Sequence, residues 1–314
     1  MSNSIFDSWI YEHAQYKTVF DTLVTEIERV LGGSTPIIFP LLGDSRAGKT
    51  ALLKDIAARF AESVSPSGHK RVVLVPMPSA ASNEALAVRI IKWTIGDIPV
   101  KGKIHQILDQ ARETMEAAGV SVLMVDETNH LVEKRTTEKA QSKENRQSAD
   151  WFKELGDLSN ISVVLTGLSH VSRMYADNDQ LENRGLVGAR IFPYSWSVPA
   201  DRKEYQETIN AGMAHFHENG WRIEVSPDLL TRISYLGGGG YIGKARDLLV
   251  RIEEIGSDQK HLDVELLRRA YKDKYRLDSY GDPLTLKAID DVLLNGAHRK
   301  ALERAVHSGR GSKT

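Results

Sequence analysis

One octapeptide limits this chain more than any other stretch: Gly43-Asp44-Ser45-Arg46-Ala47-Gly48-Lys49-Thr50. It fits the pattern G-x-x-x-x-G-K-[ST]. An apolar run precedes it (Ile37, Ile38, Phe39, Leu41, Leu42) and a helical pattern follows it (Leu52, Leu53, Ile56, Ala57, Phe60). Strand, glycine-rich turn and helix in that order are the context of a phosphate-binding P-loop. The chemistry needs this spacing. Main-chain N–H groups must wrap the phosphates, and a side chain at Gly43 or Gly48 would obstruct that path. The helix that follows adds the positive end of its dipole. Lys49 is placed to reach the β- and γ-phosphates, and the Thr50 hydroxyl to hold Mg²⁺. The segment from Gly43 to Ala51 therefore reads as a nucleoside triphosphate site.

Composition sets the limits around that site. The chain has 314 residues, 41% apolar and 26% charged, ordinary values for a globular protein of one large or two modest domains. It has no cysteine, which excludes disulfides, thiolate metal sites and a cysteine nucleophile. The first residues lack a basic start and a long apolar core, and no apolar run approaches the roughly 20 residues that span a bilayer. A cytoplasmic location and no membrane partner are expected. The formal net charge is −1, so nucleic-acid binding must come from local basic patches.

The rest of the chain alternates. Near-helical spacing predicts a helix over 5–31, ended by Gly32-Gly33. Strands are expected at 71–77, 120–125, 161–165 and 189–194, with helices at 82–95, 103–118 and 149–158 between them. Pro40 interrupts the first strand and predicts a local irregularity, because proline gives no N–H to a ladder. Strands alternating with helices imply a parallel, doubly wound α/β sheet in a three-layer αβα arrangement. From about residue 200 the pattern is helical only. Ser226-Pro227 starts one helix, Gly237–Gly240 ends it, another runs over 241–255, and Asp263 caps a third. The expected division is a helical segment at 1–33, a nucleotide-binding core at 34–198, a helical lid at 199–276 and a helical, basic extension at 277–314. The charge run at 133–146 reads as solvated.

Other residues gather around the loop. Asp126-Glu127 ends an apolar strand (Val122 to Val125), where an acidic residue can orient Mg²⁺. Asp126 takes that role, and Glu127 is the candidate base that polarises the attacking water. Thr166 ends the following strand and can hydrogen-bond the γ-phosphate or that water; a plain turn hydroxyl fits the spacing as well. Lys244 and Arg246 open a helix of the lid and can carry charge to the nucleotide. Arg184 and Arg190 lie between the 161–165 strand and the lid, either being a candidate for a cation acting in a neighbouring subunit's site.

Taken together these motifs resemble the AAA+ ATPases, and more narrowly the TniB/TnsC-type transposition regulators. The likeness rests on the arginine-containing P-loop GDSRAGKT, on Val122–Leu131 (VLMVDETNHL), on Ile161–Gly167 (ISVVLTG), on Gln180–Arg184 and on Gly239–Leu249 (GGYIGKARDLL). It implies an AAA+ core with a small helical lid, ATP and Mg²⁺ as cofactors, and hydrolysis of ATP to ADP and phosphate. It implies catalytic roles for Lys49, Glu127, Thr166 as sensor 1 and Arg184 as the trans-acting finger. Gly185 stands where the family has an aromatic residue, which keeps Arg190 in contention. The family pattern points to Lys244 as lid cation and the wider AAA+ pattern to Arg246. The resemblance also implies a homo-oligomer, ring or filament, on double-stranded DNA that recruits a DDE transposase and answers to a TniQ-type target selector. Lys92, Lys101, Lys103 and Arg112 are the DNA contacts it suggests, each weighed against a solvated helix face. The alternatives are an AAA+ switch without a DNA role, in secretion or signalling, and a replication initiator or helicase loader.

Overall fold

Two strands of this chain are buried at every position, and they set the architecture. β3 (Val122–Asp126) and β4 (Ser162–Gly167) show no exposed residue, as strands covered on both faces should. The computed structural model describes residues 4–7, 9–78, 82–97, 99–132, 138–172 and 188–275. Within it, β1 (Ile38–Gly43), β2 (Val72–Pro76), β3, β4 and β5 (Ala189–Ile191) form one sheet in the order β2-β3-β4-β1-β5. Every pairing is parallel. The strand leading into the P-loop thus lies beside β4, whose neighbour on the other side is β3.

Alternation along the strands sorts side chains onto two faces. Leu123, Val125, Val163 and Leu165 share one core with α3 (Asn83–Ile95), α4 (Ile104–Ala118) and the end of α6 (Glu138–Ser159). Val122, Met124, Val164, Phe39 and Leu41 share the other with α1 (Ala14–Leu31) and α2 (Lys49–Arg59). A short helix, α5 (Asn129–Val132), follows β3. This is the three-layer α/β arrangement expected from the sequence.

Pro40 does not interrupt β1; it pairs with Leu165 of β4 within a continuous ladder. Val163 N–H donates to Ile37 O, so alternation turns the Pro40 nitrogen to the opposite side. There the pairing with β5 begins only at Leu41, and no ladder bond is lost. The chain passes close at this point. A Cβ on Gly188 would come within 2.2 Å of Pro40 O, which leaves glycine as the residue that fits.

The chain divides into two compact units, residues 15–191 and residues 1–14 with 192–314. The second is mainly helical where described. It contains α7 (Pro199–Glu218), α8 (Pro227–Gly238), α9 (Ile242–Gly256) and α10 (Val264–Tyr275). Ser226 Oγ accepts from Leu229 N at 3.2 Å, and Asp263 Oδ1 accepts from Leu266 N at 2.7 Å, so both predicted caps form. A two-stranded ladder, β6 (Arg222–Ile223) with β7 (His261–Leu262), was not expected; two residues are too short to carry a periodic signal.

The N-terminal segment departs from expectation. The helix begins at Ala14, not at residue 5. Phe6 instead lies fully buried in the core of the helical unit, edge-on to His215 and Phe216. Ile5 N–H donates to Glu253 Oε1 at 3.0 Å and the Ser4 hydroxyl to Oε2 of the same carboxylate, while Ser4 N–H donates to Asp7 Oδ2 at 3.0 Å. His215 Nε2 lies 2.8 Å from Ile5 O. The apolar spacing of Ile5 and Trp9 mimicked a helix, but their partners are distant in sequence. The 277–314 extension and the 133–137 part of the charge run lie outside the described residues.

Candidate nucleotide site

The P-loop is built by two reversals of the backbone. Arg46 (φ 68°) and Gly48 (φ 93°) both take the left-handed conformation. Glycine adopts it freely; arginine does so at some cost. Ala47 N–H closes a turn onto Asp44 O at 3.2 Å, and α2 begins at Lys49. A Cβ on Gly43 would lie 2.9 Å from Ile191 O, so the strand end has no room for a side chain.

Lys49 Nζ donates to Gly43 O at 2.7 Å and Asp44 O at 2.9 Å. Burial pushes its pKa below the ordinary lysine value, opposed by the charges of Asp126, Asp44 and Glu127. A desolvated ammonium held among carbonyls and carboxylates gains from an anion brought to it.

Asp126 is the centre of the arrangement. Its carboxylate is buried, with Oδ2 accepting from the Thr50 hydroxyl at 2.7 Å and Oδ1 from the Thr166 hydroxyl at 2.5 Å. Glu127 N–H also donates to Oδ1, at 3.0 Å, and lies 3.2 Å from Thr166 Oγ1. The P-loop helix, β3 and β4 are therefore tied through one carboxylate. Glu127 itself is exposed and stands at φ 62°. A non-glycine residue held there marks a position fixed by its surroundings. The kink turns it away from the buried strand while Asp126 stays inside.

These residues fit a magnesium nucleotide. Thr50 and Asp126 offer two hard oxygen ligands side by side, the donor set Mg²⁺ takes when phosphate and water fill the remaining positions. The loop leaves its backbone open at Gly48, where a Cβ would meet nothing within 4 Å.

Sequence reading missed Thr128 and Ser169. Thr128 is fully buried, and both its N–H and its hydroxyl donate to Thr166 O at 2.8 Å. It locks the ends of β3 and β4 together. Ser169 Oγ accepts from the Arg190 guanidinium at 2.6 Å, which places Arg190 in the core unit beside β1. A lone hydroxyl carries no pattern that would have revealed either role. Arg184, the other finger candidate, lies outside the described residues.

The remaining candidates are dispersed. Lys244 and Arg246 belong to the helical unit. Lys244 Nζ lies 5.0 Å from the centre of the Tyr241 ring, and the Arg246 guanidinium donates to Phe6 O of the N-terminal segment. Lys92 pairs with Asp97 at 2.5 Å. Lys101 and Lys103 are exposed just before α4. Arg112 lies along α4 and faces Glu113, Glu116 and Ser159, about 13 Å of helix beyond Lys103. Lys101 and Lys103 are thus together, and Arg112 is apart from them.

Known structures share the fold. ORC1 of Aeropyrum pernix, solved in complex with DNA, superposes with a TM-score of 0.62 at 14% identity, over 86% of this chain and 68% of its own. ORC2 of Aeropyrum pernix, solved with ADPNP and ADP, gives 0.61 at 16%, over 85% and 71%. The Drosophila ORC structure bound to DNA gives 0.55 at 18%, over 85% and 63%. At such identities the likeness speaks to the fold, an AAA+ P-loop ATPase fold. No curated protein matches the chain. The family model described as bacterial TniB protein matches residues 5–187. That span holds the P-loop, the Asp126-Glu127 strand end and Thr166, and on it the chain belongs to the TniB family.

Proposed function

We propose that this protein is an ATP-hydrolysing regulator of DNA transposition that assembles on target duplex DNA and recruits a DDE transposase under a TniQ-type selector. The observation that carries the ATPase half is the double clamp on Asp126, from Thr50 on one oxygen and Thr166 on the other. Bound magnesium nucleotide supplies the phosphoanhydride bond and the charge neutralisation. Lys49 leaves its loop carbonyls for the phosphate oxygens. Thr50 and Asp126 hold the metal. Glu127, exposed at the strand end, accepts the proton of the attacking water, and Thr166 fixes where that water stands. Arg184 or Arg190 acts across a subunit boundary, and Lys244 or Arg246 reports nucleotide state from the lid.

Family membership supports the transposition half. Lys101 and Lys103 supply phosphate contacts that need no sequence choice. A second reading, a replication initiator, is favoured by the ORC proteins among the fold neighbours. Duplex binding with and without a non-hydrolysable ATP analogue tests the proposal. A salt-sensitive gain with nucleotide, absent in Lys49→Ala, is expected, together with strand-transfer stimulation of the cognate transposase. No gain with nucleotide would remove the DNA role. Gain without any effect on a transposase would favour the initiator.

A further inference from the structure

The chain of β3 leaves its neighbour β4 and then comes back to it. Their parallel register ends with Val125 opposite Leu165. The next contact is Thr128, whose N–H and hydroxyl both donate to Thr166 O at 2.8 Å. The chain thus runs from Val125 to Thr128 while β4 advances only from Leu165 to Thr166. The surplus is an arch made of Asp126 and Glu127, and a local excess of this kind re-aims the side chains it carries.

The arch is held at both feet. At the first, Met77 N–H donates to Asp126 O at 2.9 Å, and the Asp126 carboxylate takes the hydroxyls of Thr50 and Thr166. The second foot is Thr128. Besides its two bonds to Thr166 O, its own carbonyl accepts Leu131 N–H at 3.0 Å, which starts α5. The side chain is fully buried. A Cβ on Gly167 would lie 3.3 Å from the Thr128 hydroxyl and 2.4 Å from Val171 Cγ2, so the hydroxyl is packed in place. The Thr128 N–H alone would satisfy Thr166 O; the hydroxyl adds a second tether from the same residue. Between the feet, Glu127 is exposed and stands at φ 62°, a backbone unfavourable for any residue with a Cβ. Two fixed ends hold it there.

We propose that Thr128 is a positioning residue for ATP hydrolysis. Its hydroxyl fixes the second foot of the arch and thereby the direction in which Glu127 presents its carboxylate to the attacking water. Thr166 bonds Asp126 through its hydroxyl and Thr128 through its carbonyl, so the metal ligand and the base move as one assembly. The proposal rests on the reading of Glu127 as the base given above and adds to it the group that aims that base.

The test is single-turnover hydrolysis of labelled ATP by excess full chain with duplex DNA present, alongside a separate measurement of ATP affinity. Thr128→Val keeps the shape and removes the hydroxyl. It should lower the hydrolysis rate about 10- to 100-fold, the range for a reacting group displaced by about 1 Å, and leave ATP affinity within about twofold. Thr128→Ser, which loses the methyl and keeps the donor, should hydrolyse at close to the unsubstituted rate. Thr128→Val combined with Glu127→Gln should be no slower than Glu127→Gln alone, because the hydroxyl acts only through the base. Losses that multiply in the double variant would overturn the proposal, as would unchanged hydrolysis in Thr128→Val. An equal loss in Thr128→Ser would make the residue a packing contact, and a Thr128→Val chain too unstable to bind ATP would show that the hydroxyl serves the fold; either would also overturn it. Each of these outcomes leaves Glu127 as the base. Undiminished hydrolysis in Glu127→Gln, or none by the unsubstituted chain, would defeat both readings.

Discussion

Thr166 donates its hydroxyl hydrogen to Asp126 Oδ1 at 2.5 Å, between the ends of two buried strands. The bond sets the carboxylate plane and so decides where Oδ2 meets Thr50. Thr166→Val keeps the shape and removes the donor. We expect nucleotide affinity within a fewfold of wild type and hydrolysis lower by roughly 10- to 100-fold, as for other groups that orient a metal ligand. Stability should fall by about 1–3 kcal/mol. Steady-state phosphate release and urea denaturation read the two effects separately.

Glu127 carries the one side chain at this strand end forced into a left-handed backbone beside the site. Glu127→Gln should keep nucleotide and stop turnover, lowering the rate by about 10²–10⁴. Glu127→Gly should be equally inactive but no less stable, because relief of roughly 1–2 kcal/mol of backbone cost offsets the added freedom of the unfolded chain. A thermal melt showing Glu127→Gly clearly below Glu127→Gln would contradict the strain.

His13 is buried and its Nδ1 lies 2.7 Å from the Tyr194 hydroxyl. Burial pushes its pKa down to about 4 from 6.5. Between those values the unfolded chain binds the proton and the folded chain does not, so stability rises with pH across that window. Acidification from pH 7 towards 4 should remove on the order of 3 kcal/mol through this residue. The check is the difference in unfolding free energy between pH 7 and 4.5, which His13→Gln should shrink.

Phe6 anchors the N-terminal segment in the helical unit. Phe6→Ala should cost about 3–5 kcal/mol and open residues 1–13 to proteolysis. Limited chymotrypsin digestion followed by mass spectrometry reads this as faster cleavage at Trp9 and Tyr11 while the core resists.

Gly188→Ala should damage the sheet beside the P-loop, since the new methyl would meet Pro40 O. Soluble yield and Tm should both fall, and Pro40→Ala should not rescue them, because the clash includes the backbone oxygen.

The nucleotide site was legible because its signals are local. Gly43 to Thr50 and Val122 to Glu127 each carry strand, turn and chemistry within a few residues. Thr128 and Ser169 were not, because a hydroxyl acquires its role only from a strand or segment brought beside it by folding. Pro40 misled for a related reason: its effect depends on which neighbour its nitrogen faces. The helix expected from residue 5 failed because Phe6 packs on His215 and Phe216 of α7 as well as on Trp9 of its own segment.

The docking of Ile5 against His215 spans 210 residues, and along the sequence the whole nucleotide-binding core lies between those two residues. During synthesis the segment around Phe6 leaves the ribosome well before α7 and has nowhere to go until α7 emerges. At about 5–20 residues per second that wait is roughly 10–40 s. Throughout it, Phe6 stays in water while the core behind it can already close. Completion of the helical unit is thus a late, chain-closing event, and a nascent chain stalled before residue 215 would carry a finished ATPase sheet with an uncovered phenylalanine at its front.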